Sequence, residues 1–354
     1  MTDKRALVVG ATGISGFSAS RLLLDSGWNV VGVSRREPEG LDGLEAVQVD
    51  LLDRSAVQEA LAGRHITHVF YCTWSRRATE AENCEVNGAM LRNVLDALQE
   101  NEELAHVALV TGLKHYLGPF ESYGKAPVAT PFREEQPRVP YPNFYYDQED
   151  ILFAAAAERG FTWSVHRAHT MIGWALGNVM NMGTTLAVYA AICKQLGRAF
   201  VFPGSRAQYE GITDVTDAGL LAEQLQWSAT SARAANQAVN IVNGDVFRWR
   251  HMWEVVAGEL GVETGPYPGH ARSLEEEMDG QEDTWRAIVA KHGLRPTELN
   301  ELASWWHTDG DLGREIETFA DMTKSRVLGF QGFRDTEASF ASLFGRLRAD
   351  RIVP

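Results

Sequence analysis

Ala6-Leu7-Val8-Val9-Gly10-Ala11-Thr12-Gly13-Ile14-Ser15-Gly16 is the stretch that decides the fold. Four apolar residues in a row have the character of a strand buried on both faces of a parallel sheet. Glycines then recur at every third position, and Phe17 to Leu24 has a helical rhythm, which predicts a helix over Ser18–Ser26 closed by Gly27. A chain that turns from strand to helix with no Cβ in the way lets a pyrophosphate rest on the helix N-terminus, where free N–H groups and the helix dipole meet its charge. Gly10, Thr12, Gly13, Ile14 and Gly16 are thus the expected cradle of a dinucleotide cofactor. The spacing is G-x-x-G-x-x-G rather than G-x-G-x-x-G, so the usual fingerprint applies by analogy.

The chain then alternates strand and helix. Asn29–Ser34 reads as the second strand, and its tip, Ser34-Arg35-Arg36, carries two guanidiniums where a 2′-hydroxyl-binding site has an acidic residue. Guanidiniums pair with a 2′-phosphate in a fork geometry, so the expected cofactor is NADPH. Ala46–Asp50 reads as the third strand, with Asp50 and Leu51 where an adenine lies. Ser55–Ala62 reads as a helix, His68–Cys72 as the fourth strand leading into Thr73-Trp74, Glu82–Gln99 as a long amphipathic helix, and His106–Val110 as the fifth strand ending at Thr111. Five strands with intervening helices predict an α/β fold built on a doubly wound parallel sheet, with ligands at the carboxyl ends of its strands.

Composition bounds the function. The 354 residues, 45% hydrophobic and 23% charged, suit one large or two modest domains. A net charge of -14 disfavours nucleic acid and anionic membranes as partners. The longest apolar candidate, Leu186–Cys193, is too short to span a bilayer, and no signal peptide is expected. Cys72, Cys84 and Cys193 have no metal-ligand spacing, so a reducing, cytoplasmic compartment and no metal are expected; His65 and His68 lack further ligands.

Chemistry is expected where the fifth strand ends. Thr111-Gly112-Leu113-Lys114-His115-Tyr116 puts a hydroxyl, an amine, an imidazole and a phenol just outside the sheet. After a Gly- and Pro-rich loop, Asn143-Phe144-Tyr145-Tyr146 leads into an apolar helix predicted over Ile151–Arg159. Short-chain dehydrogenases and reductases open such a helix with a tyrosine and place a lysine four residues on, one turn away on the same face. Here Glu149 and Asp150 occupy those places, which leaves Lys114 as the nearby cation.

Those segments, with Gly118-Pro119-Phe120-Glu121, Val69-Phe70-Tyr71, Thr162–Arg167, Val188–Lys194, Asn243–Phe247, Gly329-Phe330, Gly332-Phe333-Arg334 and Ile352-Val353-Pro354, resemble progesterone 5β-reductase and iridoid synthase. These are enone reductases of the extended short-chain dehydrogenase/reductase superfamily, with a Rossmann fold. The resemblance implies NADPH-dependent conjugate reduction of an α,β-unsaturated ketone or aldehyde, with Tyr145 as the catalytic phenol and Lys114 as its partner. A phenol with a pKa of about 10 needs such a cation to act well at neutral pH.

Two departures from the family stand out. Ala168-His169-Thr170 follows Arg167 where proline is the rule, beside the expected nicotinamide carboxamide. His307 stands where phenylalanine is expected in a pocket wall, which makes the cavity more polar. The expected substrate pocket comprises Trp74, Tyr116, Tyr146, Met171, Trp306 and His307. Residues 1–170 with about 205–247 are expected to bind the dinucleotide, and about 171–204 with 248–354 to form a smaller, mainly helical substrate lobe. The partner is then a small-molecule enone, and a homodimer stays open. A sugar-nucleotide epimerase or dehydratase of the same superfamily and a non-catalytic NADP-binding regulator are the alternatives.

Overall fold

The structure is a computed structural model that describes residues 4–119, 122, 129–177 and 180–354. Residues 120 and 121, part of the loop before Tyr141, and residues 178–179 lie outside the described residues.

Seven parallel strands form the main sheet in the order β3-β2-β1-β4-β5-β6-β9. They are β1 (Arg5–Val9), β2 (Asn29–Ser34), β3 (Glu45–Gln48), β4 (His68–Tyr71), β5 (His106–Gly112), β6 (Thr162–Ala168) and β9 (Gln237–Ile241). A separate parallel pair, β7 (Met171–Ile172) and β8 (Thr216–Asp217), follows the carboxyl end of β6. The order reverses beside β1, which opens the crevice between the β1 and β4 ends where such sheets bind ligands.

Helices α1 (Ile14–Asp25), α2 (Arg54–Leu61), α3 (Glu80–Ala97), α4 (Lys114–Leu117) and α5 (Phe144–Arg159) connect the first six strands. Helices α6 (Met182–Leu196), α7 (Arg206–Glu210) and α8 (Ala218–Thr230) precede β9. After it come α9 (Trp249–Leu260), α10 (Leu274–Glu277), α11 (Glu282–His292), α12 (Leu299–Leu302), α13 (Trp305–Leu312), α14 (Thr323–Leu328) and α15 (Thr336–Ala349).

Three large apolar cores among the described residues hold this together. On one sheet face Val57, Leu91, Val94 and Leu152 of α2, α3 and α5 pack on Leu7, Val69 and Leu109. On the other, Ala19 and Leu23 of α1 and Leu220, Leu221 and Leu225 of α8 pack on Ala6, Val8 and Phe70. Met322 and Phe330 join this second face, so the chain returns to the sheet after α13. The third core lies outside the sheet and gathers Leu186, Tyr189, Phe200, Trp249, Trp253, Trp285 and Phe340.

Two helices begin a full turn or more earlier than the sequence rhythm suggests. α1 starts at Ile14, inside the glycine motif, and α5 starts at Phe144, so Tyr145 lies within its first turn. The cause in α5 is the cap: the Asn143 side chain accepts from the Tyr145 N–H at 3.1 Å, one of the donors a helix start leaves open. In α8, Gln224 and Ser228 are buried along with the apolar residues, which blurs the amphipathic pattern that periodicity could flag.

The glycine turn is tight for a specific reason. A Cβ on Gly16 would lie 2.1 Å from the Gly10 carbonyl oxygen, and Gly10 itself has φ +91°. Gly16 therefore lets α1 press against the end of β1. Gly16→Ala is expected to lower unfolding free energy by about 3 kcal/mol, the upper range for forced overpacking, read from a denaturant melt. Unchanged stability would mean the turn relaxes freely.

Candidate active site

A cavity of about 430 Å³ runs along the carboxyl end of the sheet, from the glycine turn to α13. Gly10, Thr12, Gly13, Ile14 and Ser15 form its floor, and the first turn of α1 faces it with Gly13, which has no side chain, at the N-cap. Ser34, Arg35 and Arg36 line one end. Arg36 donates to the Gly177 carbonyl at 2.9 Å, so the segment after β7 reaches across to the tip of β2. Asp50 and Leu51 line the same end, with one Asp50 oxygen taken by the Leu52 N–H at 3.0 Å. Thr73 and Trp74 follow from β4, and Thr111, Gly112 and Lys114 from β5. Tyr145, His169, Met171 and His307 close the far end. The crowding at Gly10, where a Cβ would sit 2.8 Å from Thr73 and 2.9 Å from the Cys72 oxygen, leaves bare backbone beside the cavity. A pyrophosphate fits such a surface, so these residues suit a dinucleotide.

Four expected site residues stand behind this wall. Gly16 serves the turn itself. Tyr116 is buried, and its hydroxyl donates to Asn240 at 2.6 Å while its ring stacks on Phe132. The Tyr146 hydroxyl is also buried, donating to the His115 carbonyl at 2.5 Å and accepting from the Val139 N–H at 3.0 Å. Trp306 points to the Arg76 guanidinium, stacked 3.5 Å from its ring centre. The reason in each case is the same. For the three aromatic residues, on α4, α5 and α13, a phenol or indole satisfies its polar atom or its π-face wherever a partner is nearest, and sequence alone does not say which side that is.

Tyr145 and Lys114 are set by different elements. The phenolic oxygen lies 3.3 Å from where a side chain on Gly112 would begin, so glycine leaves room for it over the end of β5. The Phe144 ring is tilted against Tyr145 at 4.3 Å and stacked on Trp74 at 5.2 Å. Lys114 is buried; its carbonyl accepts from the Asn143 side chain at 2.7 Å, and its ammonium lies 4.6 Å from the Phe144 ring centre.

Glu80, which the sequence reading did not single out, ties these pieces together. Its Oε2 receives the Lys114 ammonium at 2.5 Å and the Asn83 amide at 3.1 Å. Its Oε1 accepts from the Phe144 N–H at 3.0 Å. One carboxylate thus anchors both the amine and the first turn of the tyrosine helix. The signal was faint: an acidic residue opening α3 is ordinary helix chemistry, explained by the dipole alone.

Glu149, which occupies the place of the missing helical lysine, is buried and works elsewhere. It meets Arg138 at 3.0 Å, His115 at 3.3 Å and Arg167 at 3.4 Å. Burial opposes its charge, but these partners outweigh burial and hold its carboxyl below the usual range. It braces the layer under the site.

The sequence from 39 to 354 matches the model of the PRISE-like Rossmann-fold domain. The chain belongs to that family. It is 42% identical over 363 residues to (S)-8-oxocitronellyl enol synthase of Nepeta cataria, covering 99% of this chain and 93% of the relative. It is 41% identical over 362 residues to 3-oxo-Delta(4,5)-steroid 5-beta-reductase of Arabidopsis thaliana, with the same coverage. The fold also matches solved structures of UDP-glucose 4-epimerase from Thermotoga maritima (TM-score 0.71, 15% identity, 98% of this chain and 99% of that one) and of the enzyme WbmH from Bordetella bronchiseptica with NAD+ (TM-score 0.67, 15% identity, the same coverage). At that identity the likeness is one of fold. No helix among the described residues is long and apolar enough to cross a membrane.

Proposed function

We propose that this oxidoreductase reduces the C=C bond of an α,β-unsaturated ketone or aldehyde with NADPH. The observation that carries the reading is the placing of the Tyr145 hydroxyl over Gly112, in the cavity that also holds the glycine turn and Lys114. The identity to a steroid 5-beta-reductase and an enol synthase supports it.

When bound, NADPH supplies a hydride to the β-carbon of the enone. The π bond breaks as that bond forms, and the electron pair passes to the carbonyl oxygen as an enolate. Tyr145 donates a hydrogen bond to this oxygen and stabilises its charge as a preorganised donor. Lys114, fixed by Glu80 and the Asn143 cap, holds a positive charge beside the tyrosine helix. The enolate then takes a proton from water at the α-carbon to give the saturated carbonyl. Gly10, Gly13 and Ile14 are assigned to the pyrophosphate, Asp50 and Leu51 to the adenine end, and Ser34, Arg35 and Arg36 to the 2′-phosphate. His169 is assigned to the nicotinamide end. The separate apolar core supports a substrate lobe made from about 171–204 and 248–354, except for the segment around Met322 and Phe330, which packs on the sheet.

The test is NADPH and NADH oxidation with small cyclic enones, acyclic enals and a steroid enone. No turnover of any of them, with cofactor demonstrably bound, overturns the reading. Arg36→Glu is expected to weaken NADPH binding on the order of 10- to 100-fold, the worth of a charge-assisted hydrogen bond, and NADH far less. Equal loss for both cofactors would remove the 2′-phosphate assignment.

A further inference from the structure

The far end of the cavity is walled by charge. Asp214 is fully buried and receives the His169 Nδ1–H at 2.6 Å. The other ring nitrogen, Nε2, faces Arg314 Nη1 at 2.8 Å. A guanidinium only donates, so Nε2 carries the lone pair and His169 is the neutral tautomer. Arg314 also holds Asp311, whose Oδ2 accepts from the Thr170 hydroxyl at 2.8 Å. His307, one turn before Asp311 on α13, points Nε2 at the same Oδ2 from 3.9 Å.

The bookkeeping of charge restricts what binds here. With His169 neutral, the Arg314 guanidinium stands between two carboxylates, and Arg76 adds a second positive charge near His307. A ligand carboxylate or phosphate set between His307 and Asp311 would lie a hydrogen bond away from the like charge of Asp311. A purely apolar group would cover the His307 Nε2 without giving it a hydrogen-bond partner.

The 3.9 Å separation is too long for a hydrogen bond and suits a bridging oxygen. An oxygen about 2.8 Å from each partner spans it, accepting from His307 Nε2–H and donating to Asp311. Burial holds the His307 imidazole below its ordinary pKa, and the Asp311 carboxylate opposite Nε2 favours the neutral tautomer that carries its proton there. A carbonyl can accept there but has no proton to give the carboxylate. A hydroxyl does both.

We propose that the substrate carries, away from its enone, a hydroxyl group that bridges His307 and Asp311 on this wall. The proposal rests on the enone-reductase reading of the same cavity, and it names a hydroxylated enone as the substrate class.

The test separates the two. With NADP+ bound, saturated aldehydes of graded chain length, ending in methyl, hydroxyl or carboxylate, are titrated by tryptophan fluorescence. At one chain length the hydroxyl compound is expected to bind on the order of 10- to 100-fold more tightly than its methyl analogue, and the carboxylate least well. His307→Phe is expected to remove the difference between hydroxyl and methyl. No hydroxyl preference at any length, or a preference that His307→Phe leaves intact, overturns the proposal. The corresponding 2-alkenals are then assayed for NADPH oxidation. Absence of turnover throughout would overturn the underlying reading, whatever the binding order.

Discussion

Tyr145→Phe is expected to lower turnover of any accepted enone by on the order of 100- to 1000-fold, the usual cost of losing one preorganised donor to a developing oxyanion. Cofactor affinity should stay close to that of the unaltered protein. The phenyl ring can keep its tilt against Phe144, and through it the stack on Trp74, so the change removes the hydroxyl and leaves the packing. Stopped-flow transients separate the hydride step from product release, and a fluorescence titration reports NADPH. A variant that reduces enones at the original rate would show that the oxyanion is held by some other donor, and the assignment of Tyr145 would fall. A variant that loses NADPH as well would mean that the hydroxyl serves the cofactor more than the substrate.

The half of the fold that carries the parallel sheet was legible because its code is local. Ala6–Val9 and the three glycines announce a buried strand and a tight turn within eleven residues. The strands at Asn29, His68 and His106 lie where their apolar runs begin. Helix α8 and the β7–β8 pair were not legible, since one is covered along most of its length and the other is only two residues per strand. The candidate site was legible in part for the same reason. Lys114 and Tyr145 flank recognisable local features, a strand end and an Asn-capped helix. Whether Tyr116 or Tyr146 faces the cavity depends on Asn240 and on the His115 carbonyl, which sequence spacing does not bring together.

The charged wall shows the same limit from another side. His169 and His307 each looked like a single departure from a family pattern. They share one network only because β6, the segment before β8 and α13 converge on Asp214, Asp311 and Arg314. A buried carboxylate such as Asp214 is costly alone, and burial does raise its pKa, with His169 pulling the other way. The network is therefore interpretable only as a unit.

Glu80→Ala is expected to give the largest loss of stability among changes at the site. It would leave the Lys114 ammonium buried without its carboxylate, with the Phe144 N–H losing its acceptor at the same stroke. Removing one partner of a buried ion pair costs about 3–5 kcal/mol, because the remaining charge keeps its desolvation penalty. Glu80→Gln should cost less, since an amide oxygen can still accept from Phe144. A double variant sharpens the point. If the penalty is an uncompensated charge, Glu80→Ala combined with Lys114→Met should be more stable than Glu80→Ala alone, a non-additivity that packing loss would not produce. Denaturant melts of the four proteins measure this coupling. Turnover should fall in Glu80→Ala while its folded fraction is still complete, because the carboxylate that fixes the amine also fixes the first turn bearing Tyr145. Additive melts with unchanged turnover would reduce Glu80 to a helix-opening residue.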